Sequence, residues 1–261
     1  MKTESIIVYA AVLLAVVSCS KSGGSAAVRA SGTIEATQVD VSAQVAGQVR
    51  QLRVDEGSSV KTGDTLALLD SVTAIAMVSQ AQANLNLTQA GANRVDVLFA
   101  AGNSTKAEKD ASDARLAQAQ AAVVLARKAL DYCTVLSPLS GTVTSKAVEV
   151  GDLATPGAVI VSVTKLDTVK LTIYVSETEL PRVKLGASAE VRIDAGPKRI
   201  FPGRVTYISP TAEFTPKNIQ TREDRVKLVF GVRIQIPNPD GSLKPGLPAD
   251  ATVAAAVITP Q

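Results

Sequence analysis

Apolar positions recur along this chain with different periods, and each period marks a different kind of segment. Ile6 to Val17 is a continuous apolar run of about 12 residues, short of the roughly 20 that a membrane-spanning helix needs. Over 31–70, and again over 134–165, apolar and polar residues alternate in short stretches broken by glycine. That alternation predicts half-buried strands. Between them the spacing changes to three and four, through Val78, Ala81, Leu85, Thr88, Ala92, Val95 and Phe99, then Leu116, Ala119, Val123, Ala126, Leu130 and Cys133. Such a series is the seam of a coiled coil. From about Lys165 the alternation returns at 169–175, 189–193, 203–208, 226–236 and 251–257, with Pro and Gly between the stretches. Short strands at this spacing predict a small barrel or sandwich. Ser176–Glu179, ahead of Leu180, reads as the opening of a short helix.

Composition sharpens the helical segment. Residues 72–131 hold 17 Ala and no Pro, and all 12 prolines lie at or after Pro138. Ala, Leu, Gln and Lys favour helix. Ala101 to Thr105 reads as a turn, with Gly102 suited to a C-terminal cap and Thr105 with Glu108 forming a capping box for the second helix. The segment 71–133 is thus expected to be an antiparallel helical hairpin with arms of about 30 residues, or about 45 Å. Cys133 continues the heptad phase and reads as a small core residue.

The two flanking β segments repeat one another. Residues 46–69 and 140–163 align without gaps, placing Gly47, Gly57 and Gly63 on Gly141, Gly151 and Gly157. Val49 falls on Val143, Val54 on Val148 and Leu66 on Ile160. These glycines are expected at turns that need positive φ or a close backbone approach. Two such halves cover each other's apolar faces as a small sandwich. They resemble the halves of a biotinyl/lipoyl domain. In a carrier domain of that type a Lys in the joining hairpin takes the cofactor. Here the first half runs out at Leu69-Asp70 with no Lys at the junction. A carrier is disfavoured and no cofactor is expected.

Charge and residue usage exclude several functions. The chain has 261 residues, with 27 basic against 24 acidic, for a net charge of +3. That is too mild for nucleic-acid binding. Aromatics make up 3% and Trp is absent, which removes base-stacking platforms. There is no His and only two Cys, so His-based catalysis, common zinc sites and a disulfide framework fall away. No metal site or catalytic residue is expected, and the chain reads as a non-enzyme.

The N-terminus reads as a secretory signal, residues 1–18. It ends in Val16-Val17-Ser18-Cys19, which resembles a bacterial lipobox. Cys19 is then the lipidated residue, and 19–30 the anchor and linker. Multiple acyl chains hold a protein firmly at a membrane. The expected location is the periplasm, anchored to the inner membrane, with Ser20 leaving the outer membrane open as the alternative.

A split lipoyl-like domain, a helical hairpin between its halves and a β-barrel over 166–257 together resemble the bacterial periplasmic adaptor proteins, the membrane fusion proteins of HlyD type. The likeness runs from about Ser31 to Val257. Cys133-Thr-Val-Leu-Ser-Pro-Leu-Ser-Gly141 matches the family's return into the second lipoyl half, and Gly246-Leu-Pro-Ala-Asp-Ala251 matches its closing turn. Phe214-Thr-Pro-Lys-Asn-Ile-Gln-Thr-Arg222 looks like the subgroup serving ABC transporters. The connection 213–225 is otherwise either a solvated loop or a contact loop toward a partner. Arg94, Leu98 and Thr105 stand at the spacing by which family members meet a TolC-like outer-membrane channel, with Thr in place of Ser. The resemblance implies an adaptor between that channel and an inner-membrane transporter, ABC rather than RND, working as a homo-oligomer, by likeness a hexamer. It implies little material for a membrane-proximal domain, residues 28–38 and the final strand at most. The alternative is a structural envelope lipoprotein with a coiled-coil spacer.

Overall fold

The structure, a computed structural model, describes residues 27–193, 199–214 and 228–254. Cys19, the apolar run before it and residues 215–227 of the polar connection lie outside the described residues. In chain order the elements are β1 (Val28–Ser42), β2 (Gly47–Leu52), β3 (Ser59–Val60), β4 (Thr65–Leu69), α1 (Val72–Ala100), α2 (Lys106–Asp131), β5 (Thr134–Leu136), β6 (Gly141–Lys146), β7 (Leu153–Ala154), β8 (Val159–Ser176), β9 (Ser188–Ile193), β10 (Phe201–Phe214), β11 (Leu228–Pro237) and β12 (Pro248–Val253). The fold is mainly β with two long helices. It divides into two compact units, Ala36–Val169 with Asn238–Lys244, and the segments up to Glu35, Lys170–Pro237 and from Pro245.

The first unit is the repeat, and its halves are interlocked. β3 of the first half pairs with β6 of the second (Ser59↔Thr142, Val60↔Gly141). β7 of the second half pairs with β2 of the first (Gly47↔Ala154, Gln48↔Leu153). The turns exchange bonds in the same way. Gly57 N–H donates to the Val143 carbonyl at 2.8 Å, and Gly151 N–H to the Val49 carbonyl at 2.9 Å. Gly63 donates to Ser137 and Gly157 to Ala43, each at 2.8 Å. A shift of 94 residues converts each bond into its counterpart. The core repeats too, since Val49 and Val143, Val60 and Ala154, Leu66 and Ile160, and Leu69 and Val163 are all buried. Fully burying one such side chain stabilises by about 1.5–3 kcal/mol. Neither half can form this core alone, because each takes an edge strand from the other.

Between the halves, α1 and α2 run antiparallel. Asp96 pairs with Lys109, and Arg127 donates to Gln82 at 3.3 Å, so the start of one helix meets the end of the other. The positions Val78, Ala81, Leu85, Thr88, Ala92 and Val95 are half-buried or buried, as are Leu116, Ala119, Val123, Ala126 and Leu130. Phe99 departs from the expected seam, at 39% exposed. It lies one residue from the end of α1, where α2 offers only its first turn as cover. Cys133 also departs. It follows α2 and is buried in the sandwich core with Val135, Leu69 and Ala74. Burial pushes its thiol pKa up.

Asn238–Lys244 joins this unit from far along the chain. Buried Asn238 donates through Nδ2 to the carbonyls of Leu166 (2.7 Å) and Leu243 (2.9 Å), and its own N–H donates to Asp167 (2.7 Å).

The second unit is a barrel of six strands in the order β1, β12, β9, β10, β11, β8, with β8 pairing back onto β1. Closure removes the exposed edges. Alternate residues point inward, among them Leu171, Ile173 and Val175 on β8 and Val232, Ile234 and Ile236 on β11, all buried. Residues 28–33 lie in this barrel, paired with β12 from Val28↔Val253 to Thr33↔Pro248. Residues 28–30, expected as linker, are thus part of a barrel strand. The closing turn 246–247 bonds to Ile34 in both directions, Gly246 N–H to its carbonyl (2.8 Å) and Ile34 N–H to Leu247 (2.9 Å). The short helix expected after Ser176 is a 3-10 turn, Leu180–Arg182.

Candidate functional site

The candidate site is the free end of the helix pair, and it is built from backbone outward. α1 ends in a Schellman arrangement. Gly102, at φ 75°, donates to the Phe99 carbonyl at 3.0 Å, and Asn103 donates to the Leu98 carbonyl at 2.8 Å. Orphan carbonyls of the last turn are thereby satisfied. α2 opens with the capping box. Glu108 N–H donates to Thr105 Oγ1 (3.2 Å), and Thr105 N–H donates to Glu108 Oε2 (2.8 Å). The Ser104 and Thr105 hydroxyls also donate to that carboxylate, at 2.9 and 3.1 Å. These bonds, the Thr105 backbone bond foremost, hold the Glu108 carboxyl below its usual range.

One turn further in, Lys109 bridges the helices. It pairs with Asp96 across the gap and with Asp113 on its own helix at 3.4 Å. The hydrogen bond to Asp96 is the main cause that raises its pKa. Sequence reading missed this clasp. The signal was the turn itself, since a chain reversing at 101–104 sets 96 opposite 109.

The three expected docking residues divide into two kinds. Arg94 and Leu98 are one turn apart on α1 and both exposed, Leu98 at 46%. Thr105 lies past the turn, exposed, with its hydroxyl held in the capping box. Val97, at 69% exposed, and Phe99 extend an apolar surface beside Leu98. The site thus presents a guanidinium and apolar side chains on a backbone fixed by two caps.

The base of the pair is fixed as well. Asp70 Oδ1 accepts from Val72 N–H at 2.9 Å, and its Oδ2 accepts from Arg50 at 2.7 Å. The Val72 bond is the larger cause of its lowered pKa. Asp70 stands where the chain leaves β4 for α1.

The repeat glycines occupy two settings. Gly57, Gly63, Gly151 and Gly157 have φ between 85° and 103°. Gly47 and Gly141 begin strands, and a Cβ on Gly141 would stand 2.5 Å from the Thr164 carbonyl oxygen. Among the described residues no group of acidic, Cys or His side chains is placed to hold a metal ion. No described helix is long and apolar enough to cross a membrane.

Comparison with known proteins agrees with this architecture. Residues 37–166 match the barrel-sandwich hybrid domain of RND MFP proteins, and 168–257 the CusB-like beta-barrel domain. A UPF0194 membrane protein of Yersinia pseudotuberculosis serotype IB (strain PB1/+) is 29% identical, over 83% of this chain and 86% of its own. A crystallised MacA–MexA chimera containing the Pseudomonas aeruginosa MexA alpha-hairpin domain is 31% identical, with a TM-score of 0.74, covering 88% of this chain and 79% of that one. MacA from Actinobacillus actinomycetemcomitans is 26% identical, with a TM-score of 0.69, over 88% and 78%. With two consecutive domain matches and a shared architecture along most of its length, the chain belongs to the membrane fusion proteins, the adaptor family of efflux systems.

Proposed function

We propose that this chain is a periplasmic adaptor lipoprotein that links an inner-membrane transporter to a TolC-like outer-membrane channel in a tripartite export system. Cys19 is its lipid anchor, its helix pair is a coiled-coil hairpin, and Arg94, Leu98 and Thr105 meet the channel. The observation that carries the reading is Leu98, an apolar side chain exposed beside Arg94 at the capped end of a helix pair about 40 Å long. A rigid arm ending in apolar surface and a bidentate donor suits docking onto a helical partner. Thr105 supports the site by fixing the end of α2. The chain adds no chemistry of its own in this reading. Energy comes from the transporter, an ABC ATPase rather than an RND pump on the likeness of residues 214–222 to the ABC-serving subgroup, and the copies assemble as a hexamer by family likeness. Photo-crosslinking from position 98 in whole cells tests the docking. The expected adduct contains an outer-membrane channel protein, and adducts only to inner-membrane or soluble proteins contradict it.

A further inference from the structure

The seam between α1 and α2 changes character at its outer end. Counting back from Leu116 by the same spacing of four and three reaches Ser112 and Lys109. Both are half-buried, while Ala107, Glu108, Asp110 and Ala111 around them are exposed. A lysine therefore occupies a place where the pattern calls for an apolar side chain. From there it pairs with Asp96 of α1, and with Asp113 one turn on at 3.4 Å. Among the described residues this is the one ion pair that joins the two helices. Exposed ion pairs add little stability. A polar residue in a coiled-coil seam costs some stability and fixes how the helices sit on one another.

What is fixed here is a rotation. Successive helix residues are about 100° apart, so two residues turn through about 200°. Arg94 and Leu98 each lie two residues from Asp96 and so share the side of α1 away from it. Asp96 stands on one flank of the seam and Leu98 on the other. Exposure follows the same wheel, with Ala92 in the seam at 2%, Leu98 on its flank at 46% and Val97 on the far side at 69%. Two effects compete over the last turns of α1. Exposed Leu98 would leave water by rolling toward α2. The seam resists this weakly, because Ala81, Ala92, Ala119 and Ala126 are shallow knobs. The Asp96–Lys109 pair resists it directly, since rolling Leu98 inward carries Asp96 away from Lys109.

We propose that Lys109 is a positioning residue of the tip: its pair with Asp96 holds α1 in the rotation that keeps Arg94 and Leu98 turned outward. The surface they are turned toward is the outer-membrane channel of the reading above, on which this proposal rests. Lys109 acts through Asp96 and not by touching that partner. Without the pair the end of α1 rolls, Leu98 covers part of the seam, and the docking surface is lost while both helices stay formed.

The test uses the full chain with Lys109→Met, which keeps an aliphatic stem in the seam without the charge, and Lys109→Arg, which keeps the cation. Leu98→Cys and Val97→Cys are introduced singly into each and labelled in detergent with a neutral maleimide. The parent chain, with Cys19 and buried Cys133, supplies the background. In Lys109→Met the labelling rate at 98 relative to 97 should fall at least threefold, with an unchanged or higher melting temperature. Photo-crosslinking from position 98 to the channel in whole cells should fall at least fivefold, and Lys109→Arg should restore both. An unchanged labelling ratio in Lys109→Met overturns the proposal whatever the crosslinking shows. So does a loss of helicity, because the pair then holds the helices together instead of turning one of them. A fallen ratio with undiminished crosslinking overturns it too, since the rotation then does not serve docking. If the wild-type chain gives no channel adduct, the docking reading fails, and the labelling ratio alone decides whether Lys109 sets the rotation.

Discussion

Gly57 donates its N–H to the carbonyl of Val143 at 2.8 Å, joining a turn of the first repeat to a strand of the second. Gly57 has φ 85°, and its counterpart Gly151, which returns the bond to Val49, has φ 103°. A side chain in the left-handed region costs about 1–2 kcal/mol, and both positions are open to a Cβ. Gly57→Ala and Gly151→Ala should each lower the melting temperature by roughly 2–8 °C. Gly141→Ala should cost clearly more, because its Cβ would collide with the Thr164 backbone. Thermal melts of the three variants check the order.

Thr105 separates capping from contact. Thr105→Ala removes the acceptor for Glu108 N–H and should cost about 0.5–2 kcal/mol, visible as a lower helix melt. Thr105→Ser retains the hydroxyl and should restore stability. Thr105→Asn caps through an amide oxygen without a hydroxyl, so stability and export restored together make the cap the work of this position, and stability restored without export makes the hydroxyl a contact.

Asp70 and Glu108 both have folded-state pKa values below the ordinary carboxylate values of about 3.9 and 4.3. The folded chain binds those protons more weakly than the unfolded chain. Their stabilisation is therefore complete above about pH 5 and is lost as pH falls through the ordinary values toward the folded ones. Helix melts between pH 6 and pH 3 should fall toward the acid end. Asp70→Asn with Glu108→Gln should flatten that slope.

The anchor is tested through Cys19. In detergent phase separation the wild-type chain should partition with the detergent, and Cys19→Ser should appear as an unprocessed or soluble form. Partition and migration unchanged from wild type would contradict lipidation.

Much of the helix pair was legible because its periodicity is local. Val78, Ala81, Leu85 and Ala92 face α2 at the spacing that the sequence displays. Phe99 was misread because a periodic pattern does not announce where the partner helix stops. The repeat was legible in its glycines and core residues, but the exchange of β3 and β7 between halves was not, since alternation says which face is buried and nothing about which strand lies alongside. Val28–Thr33 carries Ser31 and Gly32 and only weak alternation, so its place in the barrel emerges from pairing with a strand more than 200 residues away. Asn238 was silent for the same reason, because its amide is satisfied by carbonyls as distant as Leu166. At the candidate site, the family resemblance pointed to Arg94, Leu98 and Thr105, while the Asp96–Lys109 clasp is a relation between helices.

The central claim is that the end of the helix pair is a contact surface, and paired melting and export measurements on Leu98→Asp and Leu85→Asp test it most directly. Leu98 is 46% exposed, whereas Leu85 is half-buried against α2. Leu85→Asp should lose helicity and destabilise the chain by about 1–3 kcal/mol, because a carboxylate there is drawn out of water. Leu98→Asp should melt within about 0.5 kcal/mol of wild type, as exposed substitutions do, and should abolish export. A Leu98→Asp variant that folds like wild type and exports normally would contradict the account.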